Sequence, residues 1–369
     1  GAYPLPLVDV QVYWTLLALP GDRREGLFDE FGGLEPWQDA SMLMPLLYYD
    51  GRLVSALDAR VEQRLVDDEL PLPGVRWELP EGALDVTAFA AGHVSNSAVY
   101  VRYVVSNTST AEWRGRLFLA ARPLQVNPTW QHGGLSPIRE FVFASASNLT
   151  AAVINGREQY VSLTPPQAVG ARAFDGGDIA RDLQHGRLPD DDVVTNSGEL
   201  ISGAFAYDFA LPPASSRCVV VAAPLHRTRS DIEAFLADAA DGDLDTAFER
   251  RRGTLARAWR RATHRVGFDL PDPAVQHTVN SQLAYILGNM DGVAIQPGSR
   301  NYKRSWIRDG GVTSIALLRM GIAEPVREFL EWYAARVQPD GLVPPIMNND
   351  GSVNDGYGSE REYDSQGQF

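Results

Sequence analysis

The hydrophobic pattern of the chain changes period once, just after Pro224, and that change restricts the architecture to two unlike parts. Upstream, short runs of β-branched and aromatic residues are separated by turn signals. Ala98 to Val105 is one such run, closed by Ser106-Asn107, and Arg116 to Ala121 resumes the pattern after Trp113-Arg114-Gly115. These two predict an antiparallel hairpin with one buried face. Glu140 to Phe143, Ala151 to Ile154 and Gln159 to Leu163 follow, the last two flanking an Asn155-Gly156 turn. Ser202 to Leu211 alternates, whereas Cys218 to Ala222 is continuously apolar, as a strand covered on both faces would be. Cys218 within it reads as a small buried hydrophobe. Strands at this spacing predict a large antiparallel β-sandwich over residues 1–225.

Downstream the period becomes helical. Ile232, Phe235 and Leu236, then Phe248, Leu255 and Trp259, mark two helices of a linker over residues 226–270. Its arginines (Arg250, Arg251, Arg252, Arg257, Arg260, Arg261) read as a solvated face. Pro271-Asp272-Pro273 opens a third helix, with Val275, Val279, Leu283, Ile286, Leu287 and Met290 on one stripe. Further helices are predicted from Asp309 to Met320 and from Glu324 to Val337. Three helices and the start of a fourth cannot bury a core alone. They either pack on the sandwich or open a longer helical domain; the expectation is the second, because the sequence stops in mid-motif.

Composition narrows the function classes. With 47 acidic and 33 basic residues the formal net charge is −14, so neither nucleic acid nor anionic membrane is expected as a partner. No apolar run is long enough to span a bilayer. One cysteine precludes an intrachain disulfide, and six scattered histidines form no H-x-x-x-H pair, so no metal site and no cofactor is expected. Trp14, Trp37, Trp77, Trp113 and Trp130 are read as core or rim aromatics rather than a sugar groove, and His132 as structural.

Two loops carry the candidate chemistry. In Gln296 to Gly311, the aromatics Tyr302 and Trp306 accompany the only lysine, Lys303, and the pair Arg308-Asp309 at a helix start. Asp309 suits an N-cap or first-turn position. Aromatic faces for sugar C–H groups, with a guanidinium and a carboxylate for vicinal hydroxyls, are what a pyranose requires. The second loop, Asn348 to Phe369, is rich in Gly, Asn and Asp and holds Asp350, Asp355, Glu360, Glu362 and Asp364. Its carboxylate spacing does not match a calcium loop. One of these acids could serve as a general acid with its pKa raised by burial.

The stretch YKRSWIRDGGVTSIALL, Tyr302 to Leu318, resembles the first active-site loop and inner helix of the six-hairpin glycosidases: the glucoamylase family and its relatives among trehalose and cellobiose phosphorylases. The resemblance implies a multidomain β-then-α fold: a mutarotase-like β-sandwich, a helical linker, and from 271 to 369 the first hairpins of an α/α six-hairpin toroid. It implies that Arg308 and Asp309 grip sugar hydroxyls and that Trp306 walls the pocket, with Tyr302, Lys303 and Gln366 also on the substrate. The general acid falls in the loop ending EREYDSQGQF. Adjacency to the helix favours Glu362, family spacing points near Asp355, and Asp364 becomes a substrate or helix-start ligand. The partner carboxylate belongs to a later hairpin.

The function this implies is an inverting glycoside hydrolase acting on an oligo- or polysaccharide, completed by the remainder of the toroid. The alternatives are a phosphorylase, in which phosphate replaces water, and a carbohydrate-binding protein without catalysis.

Overall fold

The computed structural model describes residues 11–131, 133–239, 243–354 and 364–369. Two sheets face each other. One runs in the order β1 (Trp14–Leu17), β2 (Gly26–Asp29), β3 (Leu34–Glu35), β4 (Met42–Tyr49), β10 (Trp113–Arg122), β16 (Ile201–Leu211) and β14 (Ala168–Ala173), with β5 (Arg52–Val54) paired to β4. The other runs β15 (Val193–Thr195), β11 (Glu140–Ala146), β12 (Leu149–Ile154), β13 (Arg157–Ser162), β17 (Ser216–Pro224), β9 (Ala98–Asn107), β8 (Gly82–Ala91), β7 (Leu70–Glu78) and β6 (Arg60–Val66). Neighbouring strands in both sheets are antiparallel.

Alternation divides the second sheet between two cores. Val99, Val101 and Tyr103 of β9 and Val219 and Val221 of β17 point between the sheets, where they meet Leu117, Leu119 and Phe205 of the first sheet. Tyr100, Val220, Ala222 and Phe89 point the other way, under the helices. The unbroken apolar run from Cys218 therefore has the expected cause: both faces are covered. Cys218 itself is half-buried, and burial raises its thiol to about 12, so it stays protonated. The first sheet is capped outside by α1 (Ala180–Leu183).

The expected hairpin of Ala98–Val105 with Arg116–Ala121 is corrected. β9 lies between β8 and β17, while β10 lies between β4 and β16 in the opposite sheet. Both strands turn their apolar residues to the same core, so an arch across the sandwich and a hairpin leave the same pattern. Asn107 holds the crossing, its Nδ2 donating to the carbonyls of Ala111 at 2.8 Å and Leu211 at 2.7 Å. The meander β11–β12–β13 matches its pattern, and its Asn155-Gly156 turn has φ of 51° and 72°, the left-handed pair a two-residue turn needs.

The linker helices α2 (Ser230–Asp238) and α3 (Leu244–Thr263) lie on the second sheet, burying Ile232, Phe235, Phe248 and Trp259. Phe248 meets Phe89 with ring centroids 4.6 Å apart. Several linker arginines are not simply solvated, as expected from sequence, but clasp acids. Arg251 pairs with buried Asp231, which accepts from Tyr100 Oη at 2.6 Å, and Arg260 pairs with Asp67 of the β6–β7 turn.

Helix α4 (Pro273–Asn289) starts behind the Asp272 cap, whose side chain accepts from Ala274 N. Buried Glu69 links the sandwich to two helices, with Oε1 2.6 Å from His264 Nε2 of the α3 cap and Oε2 accepting from Asn280 Nδ2 of α4 at 2.8 Å. Leu283 and Leu287 are buried while Val275, at the free start of the stripe, is not. Helices α5 (Ile307–Arg319) and α6 (Glu324–Ala334) complete the layer. The first begins two residues before its expected start, and the second ends three residues early. Of the helices after 271, α4 packs directly on β1 and β7 of the sandwich.

Replacing Phe248 by alanine is expected to cost about 3–5 kcal/mol, the range for a fully buried aromatic, in urea denaturation. A loss under about 1 kcal/mol would mean that the linker contributes little to the common core.

Candidate functional site

Helix α5 is positioned from three sides. Ahead of it, β18 (Ser305–Trp306) pairs with β19 (Ile346–Met347), which draws the 296–304 loop and the 348–354 loop together. Gln296 Nε2 donates to Asn349 Oδ1 at 2.7 Å across that junction, and Ser305 Oγ donates to Ile295 O at 2.7 Å. Beside it, Gly310 faces α6, where a Cβ would stand 2.5 Å from Phe329 Cζ. Glycine at 310 is thus a packing requirement. Above it lies α7 (Ser365–Gln368), packed against α5 near Gly311.

The 296–304 loop is fastened to the sandwich by buried charge. Arg300 takes a left-handed backbone, φ 57°, and buries its guanidinium between two acids. Nη1 lies 3.1 Å from Glu25 Oε1, and Nη2 3.2 Å from Glu35 Oε1. Burial raises the Glu35 carboxyl and the guanidinium pulls it back. Lys303 Nζ reaches Glu25 Oε2 at 2.5 Å and the carbonyl of Arg23 at 2.8 Å. Asn301 Nδ2 donates to Gln131 O at 2.9 Å, which ties the loop to the 129–131 turn of the sandwich, whose Trp130 is exposed.

The candidate residues therefore divide. Trp306 is the residue before α5, with extended backbone, and Arg308 and Asp309 lie in the first turn. Arg308 Nη1 meets Asp364 Oδ2 at 2.8 Å, both side chains half exposed. That guanidinium holds the Asp364 carboxyl below its ordinary value. Asp309 makes no side-chain hydrogen bond among the described residues, and sits at the positive end of the helix dipole. The Tyr302 ring is exposed, 6.2 Å from Trp306, and the Arg304 guanidinium lies 5.2 Å from the Trp306 ring centre.

Lys303 and Gln366 are engaged elsewhere. Lys303 joins the loop to the sandwich, and Gln366 clamps Val343, accepting from its N at 3.0 Å and donating to its O at 3.1 Å. Glu362 and Asp355 lie outside the described residues, as do Glu360 and His132. Asp350 accepts from Ser352 N at 2.8 Å and Oγ at 2.6 Å, a turn of its own loop. Among the described residues no group of three metal-ligating side chains occurs, and no helix is long and apolar enough to cross a membrane. Sequence reasoning missed Glu25, Glu35 and Arg300. Only the bare charge of Arg300 within the motif pointed to them.

What the arrangement offers is an open polar surface with a guanidinium, two carboxylates and two aromatic rings on adjoining segments. Such a set can hold vicinal hydroxyls and stack against an apolar ring face.

No family model matches the chain, and no curated protein does. Among solved structures it is similar to a bacterial glucoamylase complexed with acarbose, at 12% identity and a TM-score of 0.58, over 94% of this chain and 55% of that one. A second, described as a kojibiose phosphorylase from the human microbiome, gives 10% identity and a TM-score of 0.40, over 92% of this chain and 45% of that one. The chain thus spans about half the length of each. The first likeness shows the fold, a β-sandwich followed by helices; fold alone assigns no reaction.

Two outcomes follow from this geometry. Arg300→Ala leaves Glu25 and Glu35 buried without their guanidinium and is expected to cost about 3–5 kcal/mol by chemical denaturation near neutral pH. With the guanidinium gone the Glu35 pKa rises further above its unfolded value, so the loss shrinks as pH falls through the raised carboxyl range toward the unfolded value of about 4.3, and grows as pH rises through that range. A loss independent of pH would contradict the buried-charge account. In Arg308→Ala the Asp364 carboxyl should titrate at higher pH than in the parent, read by carbon NMR; an unchanged titration would dissolve the pair.

Proposed function

We propose that the protein acts on a glycosidic bond of an oligo- or polysaccharide, with the N-terminal turn of α5 as the sugar-binding floor. The observation that carries this reading is the ion pair between Arg308 and Asp364, which sets the two candidate loops against each other at a helix terminus flanked by Trp306 and Tyr302. Arg308 and Asp309 bind ring hydroxyls. Trp306 and Tyr302 present aromatic faces, and Asp364 orients the guanidinium. Lys303 and Gln366 act one step back, by holding the loops that carry these groups.

In this reading Glu362 donates a proton to the leaving oxygen, with Asp355 as the alternative acid. A second carboxylate, from further hairpins of an α/α toroid, activates water on the opposite face, the two about 6.5–9.5 Å apart as inversion requires. The outward side of α5, where Val312, Ile315 and Leu318 are exposed by 62%, 53% and 50%, supports a covering by such hairpins. Release of sugar phosphate in place of free sugar would identify the phosphorylase variant of the same site.

The test uses the full-length protein on a panel of α- and β-linked oligosaccharides, with product anomers followed by proton NMR. Glu362→Gln is expected to lower kcat about 10²–10⁴-fold, as loss of a general acid does. Arg308→Ala should lower kcat/KM about 100-fold through misplaced substrate. Undiminished turnover in both Glu362→Gln and Asp355→Asn would refute the acid assignment. Glycan binding without turnover in the parent would favour the non-catalytic reading.

A further inference from the structure

β1 is the outermost strand of the first sheet and β6 the outermost strand of the second. A cavity of about 350 Å³ opens between these two edges. Tyr13, Trp14 and Asp29 line it from the β1–β2 side, and Gln63, Arg64 and Asp68 line it from the β6–β7 hairpin. Its volume is in the range of small-ligand pockets.

Asp29 ends β2 and is buried. Its Oδ1 accepts from Phe31 N at 3.0 Å and from Gly33 N at 2.6 Å, which fixes the plane of the carboxyl. Among the described residues no donor reaches Oδ2. A Cβ at Gly33 would stand 2.9 Å from that oxygen, so glycine there leaves it its place. Burial, against the pull of the amides, raises the Asp29 carboxyl to about 7, and near neutral pH it can donate as well as accept. Gln63 Nε2 donates to Glu30 O at 3.2 Å and ties β6 to the end of β2. The aromatic side is open: Tyr13 is 80% exposed and Trp14 37%. Two rings left in water at the mouth of a polar cavity are apolar surface for which the fold itself has no use. The charges disfavour an anion. Arg64 Nη2 is held by Asp85 Oδ1 at 3.0 Å, and the other charged groups of the lining, Asp29, Glu30 and Asp68, are acids.

We propose that this cavity is a non-catalytic binding site for a neutral saccharide, whose pyranose ring rests on Tyr13 and Trp14 and whose hydroxyls bond to Asp29 and Gln63. Ring faces take the C–H side of a sugar, and a carboxyl beside an amide takes adjacent hydroxyls. β2 runs from Glu25, which anchors Arg300 and Lys303, to Asp29, about 13 Å along the strand. The site thus lies at the other end of the strand that fastens the loop ahead of α5. A glycan held there stays near the candidate sugar floor without entering it, which raises its effective concentration at that floor. The inference stands on its own residues and does not require the glycosidic reading.

Isothermal titration tests it, with neutral α- and β-linked oligosaccharides of glucose, galactose, mannose and xylose, and an oligogalacturonate as the anionic probe. At least one neutral oligosaccharide is expected to bind saturably, and to do so equally in Arg308→Ala, where the floor at α5 is impaired. Tyr13→Ala with Trp14→Ala should weaken that binding about tenfold. Gln63→Ala, at an exposed position, should weaken it several-fold while the melting temperature stays near its parent value. Binding that persists in a parent protein without turnover supports this site and counts against the glycosidic reading. Binding that is lost in Arg308→Ala but kept in the Tyr13→Ala, Trp14→Ala protein belongs to the α5 floor and overturns the proposal. Absence of binding by every neutral oligosaccharide overturns it too, as does tighter binding of the oligogalacturonate.

Discussion

Burial of the second sheet on both faces is the constraint from which the remaining architecture follows. A run such as Cys218–Ala222 of β17 can be apolar throughout only if something dry covers its outer side, and α2 and α3 supply that cover with Ile232, Phe235, Phe248 and Trp259. Helix α4 then finds an apolar floor already laid by α3 and β7, and α5 and α6 extend it. The non-directional hydrophobic term sets which faces meet. It does not set the register of the helices on the sheet.

Register comes from buried acids of the sandwich. Glu69 receives His264 and Asn280, while Glu25 and Glu35 receive Arg300 and Lys303. Each acid lies on or next to the sheets, and each partner is more than 190 residues away in sequence. Such pairs contribute little net stability against an apolar replacement, but they are costly to break, so they select one docking over its neighbours. The left-handed backbone at Arg300 is tolerated within this framework. The result is that the loop ahead of α5 is held by the β domain as well as by its own helix.

Much of this was legible in the residues and some was not. The period change at Pro224, the doubly covered run at Cys218 and the start of α4 behind Asp272 are local signals, and the structure follows them. The arch between β9 and β10 could not be told from a hairpin, because both bury the same alternate side chains. For the candidate site, Trp306, Arg308 and Asp309 fall at one helix terminus, where the motif places them. The resemblance puts Lys303 and Gln366 on substrate; in the structure Lys303 meets Glu25 and Gln366 the Val343 backbone. Those partners are set by tertiary contact and leave no trace at either position.

Gly310 has a consequence for how such a site could vary. The Arg308 side chain leaves α5 two residues before the point where that helix touches the Phe329 ring with only a hydrogen between them. Any larger side chain at 310 would lever the helix away from α6 and swing its first turn, carrying the guanidinium with it. The aperture between the two loops is therefore governed from behind, by the thickness of one methyl group on the side of the helix that no ligand would ever touch.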